Sequence, residues 1–157
     1  MSMSESIPEF GERVAGADYI VRPGGYAVVR TSSGLIAVVA TLGGLYLPGG
    51  GQEGGESPAD AAVRETLEEC GLRVRLTGAI GVADQLVTTR AEGVHYRKRC
   101  TFFTAEPVME DLEELEESEA DHLLCWMTPV EAESRLLDGS QRWAVSIVMR
   151  GEEWKRG

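Results

Sequence analysis

Residues 45–57 read LYLPGGGQEGGES, and the five glycines between positions 49 and 55 constrain the chain more than any other stretch. A glycine inside a helix or strand costs roughly 0.5–1 kcal/mol relative to alanine. Five of them within so short a span leave a loop as the only reading. The next stretch is as well marked. Ser57 can cap a helix, Pro58 suits its first position, Asp60 stands at the third, and Gly71 stops it. The unit is therefore a short apolar strand, a loop whose backbone can approach a ligand closely, and a helix whose positive N-terminal end opens onto that loop.

Along this helix Ala59, Ala62, Val63, Thr66, Leu67 and Cys70 recur at helical spacing and predict the packed face. Glu65, Glu68 and Glu69 fall outside that stripe at i, i+3 and i+4. Like charges so placed repel by a few tenths of a kcal/mol per pair, so water, Arg64 or a bound cation must offset them. Two readings fit: a solvated helix face, or an oxygen-donor site for a hard divalent ion. Net charge bears on the choice. At −11, with a pI near 4.6, the chain is a poor match for nucleic acid or an anionic membrane. A phosphorylated small molecule would need a metal or a local basic patch to be held here.

The rest of the chain supplies the frame. Residues 25–31 and 35–41 are β-branched runs flanking Ser32-Ser33-Gly34, which predicts a hairpin. Residues 94–108 read as a strand whose alternation puts Arg97 and Arg99 on one face and Lys98 on the other, either as exposed charge or as a phosphate-binding patch. Residues 106–121 hold nine acids and no Lys, Arg or His. Residues 129–137 and 140–150 read as helices. Together these predict an α/β fold with a mixed β-sheet sandwiched between helices, one domain across residues 1–157, with about the first 16 residues peripheral. The N-terminus lacks the pattern of a signal peptide and the longest apolar stretch, residues 35–47, is too short to span a bilayer, so a soluble cytoplasmic protein is expected. Cys70, Cys100 and Cys125 are too scattered for a zinc site or disulfide framework and read as small buried hydrophobes. His95 and His122 read as structural or exposed.

Residues 50–72 resemble the signature of the Nudix hydrolases, G-x5-E-x7-R-E-U-x-E-E-x-G-U, through Gly50, Glu56, Arg64, Glu65, Glu68, Glu69, Gly71 and Leu72. Thr66 stands where an aliphatic residue is usual. The resemblance implies the Nudix fold and hydrolysis of a nucleoside diphosphate derivative, dependent on Mg2+ with Mn2+ as a substitute. It implies that Glu65 and Glu69 are principal metal ligands, that Glu68 contributes directly or through water, and that Gly49 lends its carbonyl. Glu56 would support the metal site or help orient water, and Arg64 would pair with the acids and fix their geometry. The general base is left open among Glu65, Glu68 and an acid before Trp126, with Glu117 or Glu119 favoured there. Tyr26, with Tyr19 and Arg22, could line a base pocket, and Arg97 and Arg99 could meet phosphate.

The expected partner is a small nucleotide, with a homodimer left open. A nucleoside or deoxynucleoside triphosphate, oxidised forms included, leads as substrate. ADP-ribose, a nucleotide sugar or a dinucleoside polyphosphate is the alternative. A non-catalytic nucleotide-binding module is the alternative of another class, opposed by the intact acids; an isomerase sharing the fold would need further motifs that the chain lacks.

Overall fold

The computed structural model describes residues 6–108 and 122–156. In chain order the elements are β1 (Glu9–Phe10), β2 (Tyr19–Val29), β3 (Ile36–Thr41), β4 (Gly44–Tyr46), β5 (Gly49–Gly51), α1 (Pro58–Cys70), β6 (Val74–Thr89), β7 (Val94–Pro107), β8 (Leu123–Met127), α2 (Pro129–Arg135) and α3 (Gly139–Arg156). They build a five-stranded mixed sheet, ordered β1-β6-β7-β2-β5, and a three-stranded sheet ordered β4-β3-β8. The first carries α1 on one face and α3 on the other, as the sequence predicts. The second sheet is not one that the sequence predicts.

Its origin lies in the segment expected to be a hairpin. One edge of β2 is occupied along its whole length by β7, in parallel pairs from Tyr19–His95 to Val29–Ala105. Its other edge takes β5 at Gly24, Gly25 and Tyr26. Only one antiparallel bridge, Arg30 to Ile36, survives of the expected hairpin, and β3 then departs to pair with β4 and β8. Alternation in β3 serves both layers: Ile36 and Val38 join the core beneath α2 and α3, while Ala37 and Val39 pack with Cys70, Leu72 and Val74.

Helix α1 starts and stops where its sequence dictates. The Ser57 hydroxyl accepts from the Asp60 backbone N–H at 3.1 Å, the Asp60 carboxylate accepts from the Ser57 N–H at 3.2 Å, and Gly71 ends the helix in the left-handed conformation. The buried face differs from the expected stripe. Ala61, Ala62, Thr66, Glu69 and Cys70 are buried, whereas Val63 is 36% exposed. The rotation is set by the sheet: a Cβ on Gly25 would fall 1.8 Å from the Pro58 carbonyl oxygen and 3.1 Å from the Ala62 nitrogen, so bare backbone faces that side of the helix. Thr66 tolerates its dry position because its hydroxyl donates to the Ala62 carbonyl at 2.7 Å.

Within the segment expected to be peripheral, Glu9 and Phe10 pair in parallel with Asp84 and Gln85 of β6, and the Phe10 ring lies 6.3 Å from that of Trp143. Among the described residues no helix is long and apolar enough to cross a membrane.

The close approach at Gly25 yields a stability prediction. Gly25→Ala forces α1 away from β2 and should lower the free energy of urea unfolding by about 3 kcal/mol or more. Gly54→Ala, with nothing within 4 Å of the added carbon, should change it by less than about 0.5 kcal/mol.

Candidate active site

The glycine loop and the acidic face of α1 are joined by one side chain. Arg64 donates from Nε and Nη2 to the two oxygens of Glu56 at 2.7 and 2.9 Å, a bidentate fork. Its Nη1 donates to Glu65 at 3.0 Å and to Glu68 at 3.1 Å, and Nη2 also reaches the Gly51 carbonyl at 3.0 Å. The repulsion read from the sequence is thereby offset by a cation held between the acids. Hydrogen bonding to Glu56 chiefly, then to Glu65 and Glu68, raises the Arg64 pKa, and the same fork lowers that of Glu56.

The loop backbone has a direction of its own. In the antiparallel pairing of β2 with β5, Ala27 N–H donates to the Pro48 carbonyl at 2.9 Å and Gln52 N–H to the Pro23 carbonyl at 2.9 Å. Antiparallel ladders alternate, so the intervening Gly49 and Gly51 turn their carbonyls away from β2. That of Gly51 meets Arg64; that of Gly49 turns the same way, outward from the β2 pairing. Gly49 itself is at φ 150°, where a Cβ would meet the Tyr26 ring at 2.4 Å. A Cβ on Gly50 would lie 2.7 Å from the Glu65 carboxyl carbon, so Glu65 rests directly on bare backbone.

On the opposite face of the sheet from α1 opens a cleft of about 520 Å³. The glycines of β5 and Glu69, which is 8% exposed, form part of its wall. Arg22, Tyr96 and Lys98 line it from β2 and β7, with the Arg22 guanidinium 4.6 Å from the centre of the Tyr96 ring. Tyr46, Asp138 and Gln141 line it from β4 and the start of α3. Burial raises the Asp138 pKa, against the pull of Lys98 and Arg142. Burial, with the Asp138 charge behind it, raises that of the Tyr46 phenol.

Of the residues singled out from sequence, Tyr26 and Arg22 line this cleft, and Tyr26 also packs against Phe102 with ring centres 5.6 Å apart. Tyr19 does not line it; its hydroxyl accepts from the Val14 N–H at 2.8 Å. Arg97 and Arg99 point to the other face of β7. Both hold the buried Asp84, Arg99 through two bonds of 3.0 Å, and Arg97 also binds Glu9 at 2.7 Å. Burial raises the Asp84 pKa, but the two arginines outweigh it and leave the carboxyl below its ordinary value.

Glu117 and Glu119 lie outside the described residues. Sequence reading places Lys98 in the basic cluster without singling it out, and passes over Tyr96, Tyr46, Asp138 and Gln141 as cleft residues. Parity holds a signal for Lys98 and Tyr96, because the Tyr26–Phe102 pair puts the even positions of β7 on the cleft side. Burial pushes the thiols of Cys70 and Cys100 up to about 12, which fits small hydrophobes rather than nucleophiles; Cys125 is half-buried.

The donors gathered near the loop, namely Glu56, Glu65, Glu68, Glu69 and the Gly49 carbonyl, are all oxygen, the chemistry a hard divalent cation takes. Arg64 engages Glu56, Glu65 and Glu68, and among the described residues no three acidic, His or Cys side chains form a ready-made metal cluster.

Residues 19–149 match the family model described as NUDIX domain. The fold is similar to that of a NUDIX hydrolase from Nitrosomonas europaea, with a TM-score of 0.67 and 19% identity, covering 84% of this chain and 90% of that one.

The Arg64 fork makes a titration prediction. Lysine cannot grip Glu56 bidentately while serving Glu65, Glu68 and Gly51. In Arg64→Lys the Glu56 carboxyl, followed by carbon-detected NMR, should titrate closer to its ordinary 4.5. Because the folded pKa is lowered in the native chain, the fork stabilises the fold above pH 4.5 and is lost as pH falls through the lowered value. The variant should lack that acid-side dependence.

Proposed function

The chain belongs to the NUDIX domain family, and on that premise we propose that it is a Mg2+-dependent pyrophosphohydrolase of nucleoside or deoxynucleoside triphosphates, oxidised forms included. The observation that carries the reading is the position of Glu69. Of the signature carboxylates it is the one that lines the cleft, beside the glycines of β5, and the same cleft holds Arg22 and Lys98. A phosphate chain lying there would run from the cationic wall toward the acidic helix.

The side chains divide the work. Glu69, Glu65 and the Gly49 carbonyl would hold the divalent ion, Mg2+ or Mn2+ in its place, with Glu68 contributing directly or through water. When bound, that ion supplies neutralisation of the phosphate oxygens. Arg64 and Glu56 keep the acids in register and do not touch substrate. Lys98 and Arg22 offset the charge that remains on the phosphates. The Tyr96 and Tyr46 rings offer surface to the nucleoside, with Tyr26 beneath them. A water attacks phosphorus, its proton passes to a carboxylate, and the anhydride oxygen leaves with the departing phosphate. Glu65 and Glu68 are the candidates for that base, with Glu119 from the acidic run a third.

A panel of nucleoside triphosphates, ADP-ribose, nucleotide sugars and dinucleoside polyphosphates, assayed with Mg2+ for phosphate or pyrophosphate release, tests the reading. Release from one triphosphate at rates well above the others is the expected result. Preference for ADP-ribose, a sugar nucleotide or a dinucleotide would replace the substrate class. Tight binding of a nucleotide with no turnover would replace the enzyme with a binding module. Glu69→Gln should cut turnover about a hundredfold or more, since even outer-shell partners of a metal are worth 10 to 100-fold. Undiminished turnover in that variant would remove Glu69 from the ligand set.

A further inference from the structure

Leu47 is 1% exposed and immediately precedes Pro48 and Gly49, so its backbone N–H must find an acceptor inside the protein. β4 has already ended at Tyr46, which pairs with Val39. On the far side of β4 the segment after α2 begins a parallel pairing, with one bridge between Leu45 and Leu136 and the Leu137 N–H donating to the Leu45 carbonyl at 3.0 Å. A second rung would require a backbone carbonyl opposite Leu47, but the chain has turned toward α3. The acceptor is instead the side-chain oxygen of Gln141, at 2.7 Å and across 94 positions of sequence.

We infer that Gln141 is a positioning residue for the hydrolytic site, a strut that fixes the glycine loop from the C-terminal helix. Its own footing is firm. Gln141 is 3% exposed, the neighbouring Ser140 N–H donates to the Gln85 side chain at 3.0 Å, and Phe10 of β1 packs against Gly139. The loop is thus held from two sides: the Pro48 carbonyl accepts from Ala27 of β2, and the Leu47 N–H is tied to α3. Those two bonds bracket the Leu47–Pro48 peptide, just before Gly49, and so fix the direction in which the chain enters Gly49 and its outward carbonyl.

The chemistry also fixes which way the amide faces. Since an N–H can only be met by an acceptor, the oxygen of Gln141 is committed to Leu47. What the residue has left for the cleft it lines is the NH2 group, a donor.

The effect on cation binding rests on the reading of the Gly49 carbonyl as a ligand; the tie to Leu47 does not. Two variants separate them. Gln141→Met keeps the shape and removes the acceptor, whereas Gln141→Glu keeps an acceptor oxygen in either protonation state and removes the NH2 group. Gln141→Asn, which withdraws the amide by one carbon, stands in for Gln141→Met should that variant fail to fold.

Amide exchange at Leu47, followed by NMR, should speed up at least about tenfold in Gln141→Met and stay near the native rate in Gln141→Glu. Mn2+ affinity without nucleotide, measured by electron paramagnetic resonance, should weaken about tenfold in the first and little in the second. A Gln141→Met protein that loses thermal stability while keeping native Leu47 exchange and Mn2+ affinity would overturn the strut. Equal losses in Gln141→Glu and Gln141→Met would overturn it as well, leaving the NH2 group as the working part. If the native protein binds no Mn2+, the metal reading of the site fails, and Leu47 exchange alone decides the strut.

Discussion

Helix α1 can sit where it does only because three glycines present no side chain to it or to its neighbours. At Gly25 the helix backbone itself occupies the place of a Cβ, at Gly50 the Glu65 carboxyl does, and at Gly49 the Tyr26 ring does. Remove this bare strip and α1 must lift from β2 and β5, taking the acids away from the loop. The same contact sets the rotation of the helix. With Ala62 against Gly25, Glu69 is turned toward the sheet and the cleft, while Glu65 and Glu68 stay with Arg64 at the outer rim. A buried carboxylate is costly unless something compensates it. Of the signature carboxylates, Glu69 is the one that is buried and lines the cleft, a setting unlike that of the Arg64-bound acids at the rim.

Crowding of negative charge would still splay the loop from the helix without Arg64. One guanidinium spans Glu56 before the helix, Glu65 and Glu68 on it, and the Gly51 carbonyl in β5. Its planar fork suits that task because several donors leave it in fixed directions, which a lysine does not provide. Arg64 thereby keeps the acids assembled beside the glycines of β5.

Local rules carry far in this chain. The capped start at Ser57-Pro58-Ala59-Asp60 and the stop at Gly71 act within a few residues and lie where their chemistry demands, whereas three glycines of the expected loop, Gly49–Gly51, pair with β2 as the strand β5. The spacing of the signature is local too, so Arg64 and its acids are legible. Failures begin where two distant segments compete. Residues 25–31 and 35–41 form no hairpin because β7, some 70 residues later, takes the edge of β2. The apolar stripe of α1 is misplaced by spacing alone because helical periodicity allows several rotations, and Gly25 selects among them. Gln141 is invisible in the sequence, its partner being a backbone N–H 94 positions away that no periodicity marks.

Strand alternation settles how an acidic protein can attract a polyanion. At −11 the chain as a whole repels phosphate, but charges beyond about 8 Å are largely screened at physiological salt, so the residues within reach decide. The basic cluster of β7 is divided by the pleat. Arg97 and Arg99 turn to one side, where Asp84 and Glu9 neutralise them and β1 is clamped to the sheet. Lys98 turns to the other, joined across the β2–β7 pairing by Arg22, with which it shares register and face. A shift of one residue in β7 would exchange these roles, leaving a single lysine against Asp84 and turning the arginines to the cleft side. The register of the β2–β7 pair is therefore as much a determinant of the cleft's electrostatics as the composition of the strand.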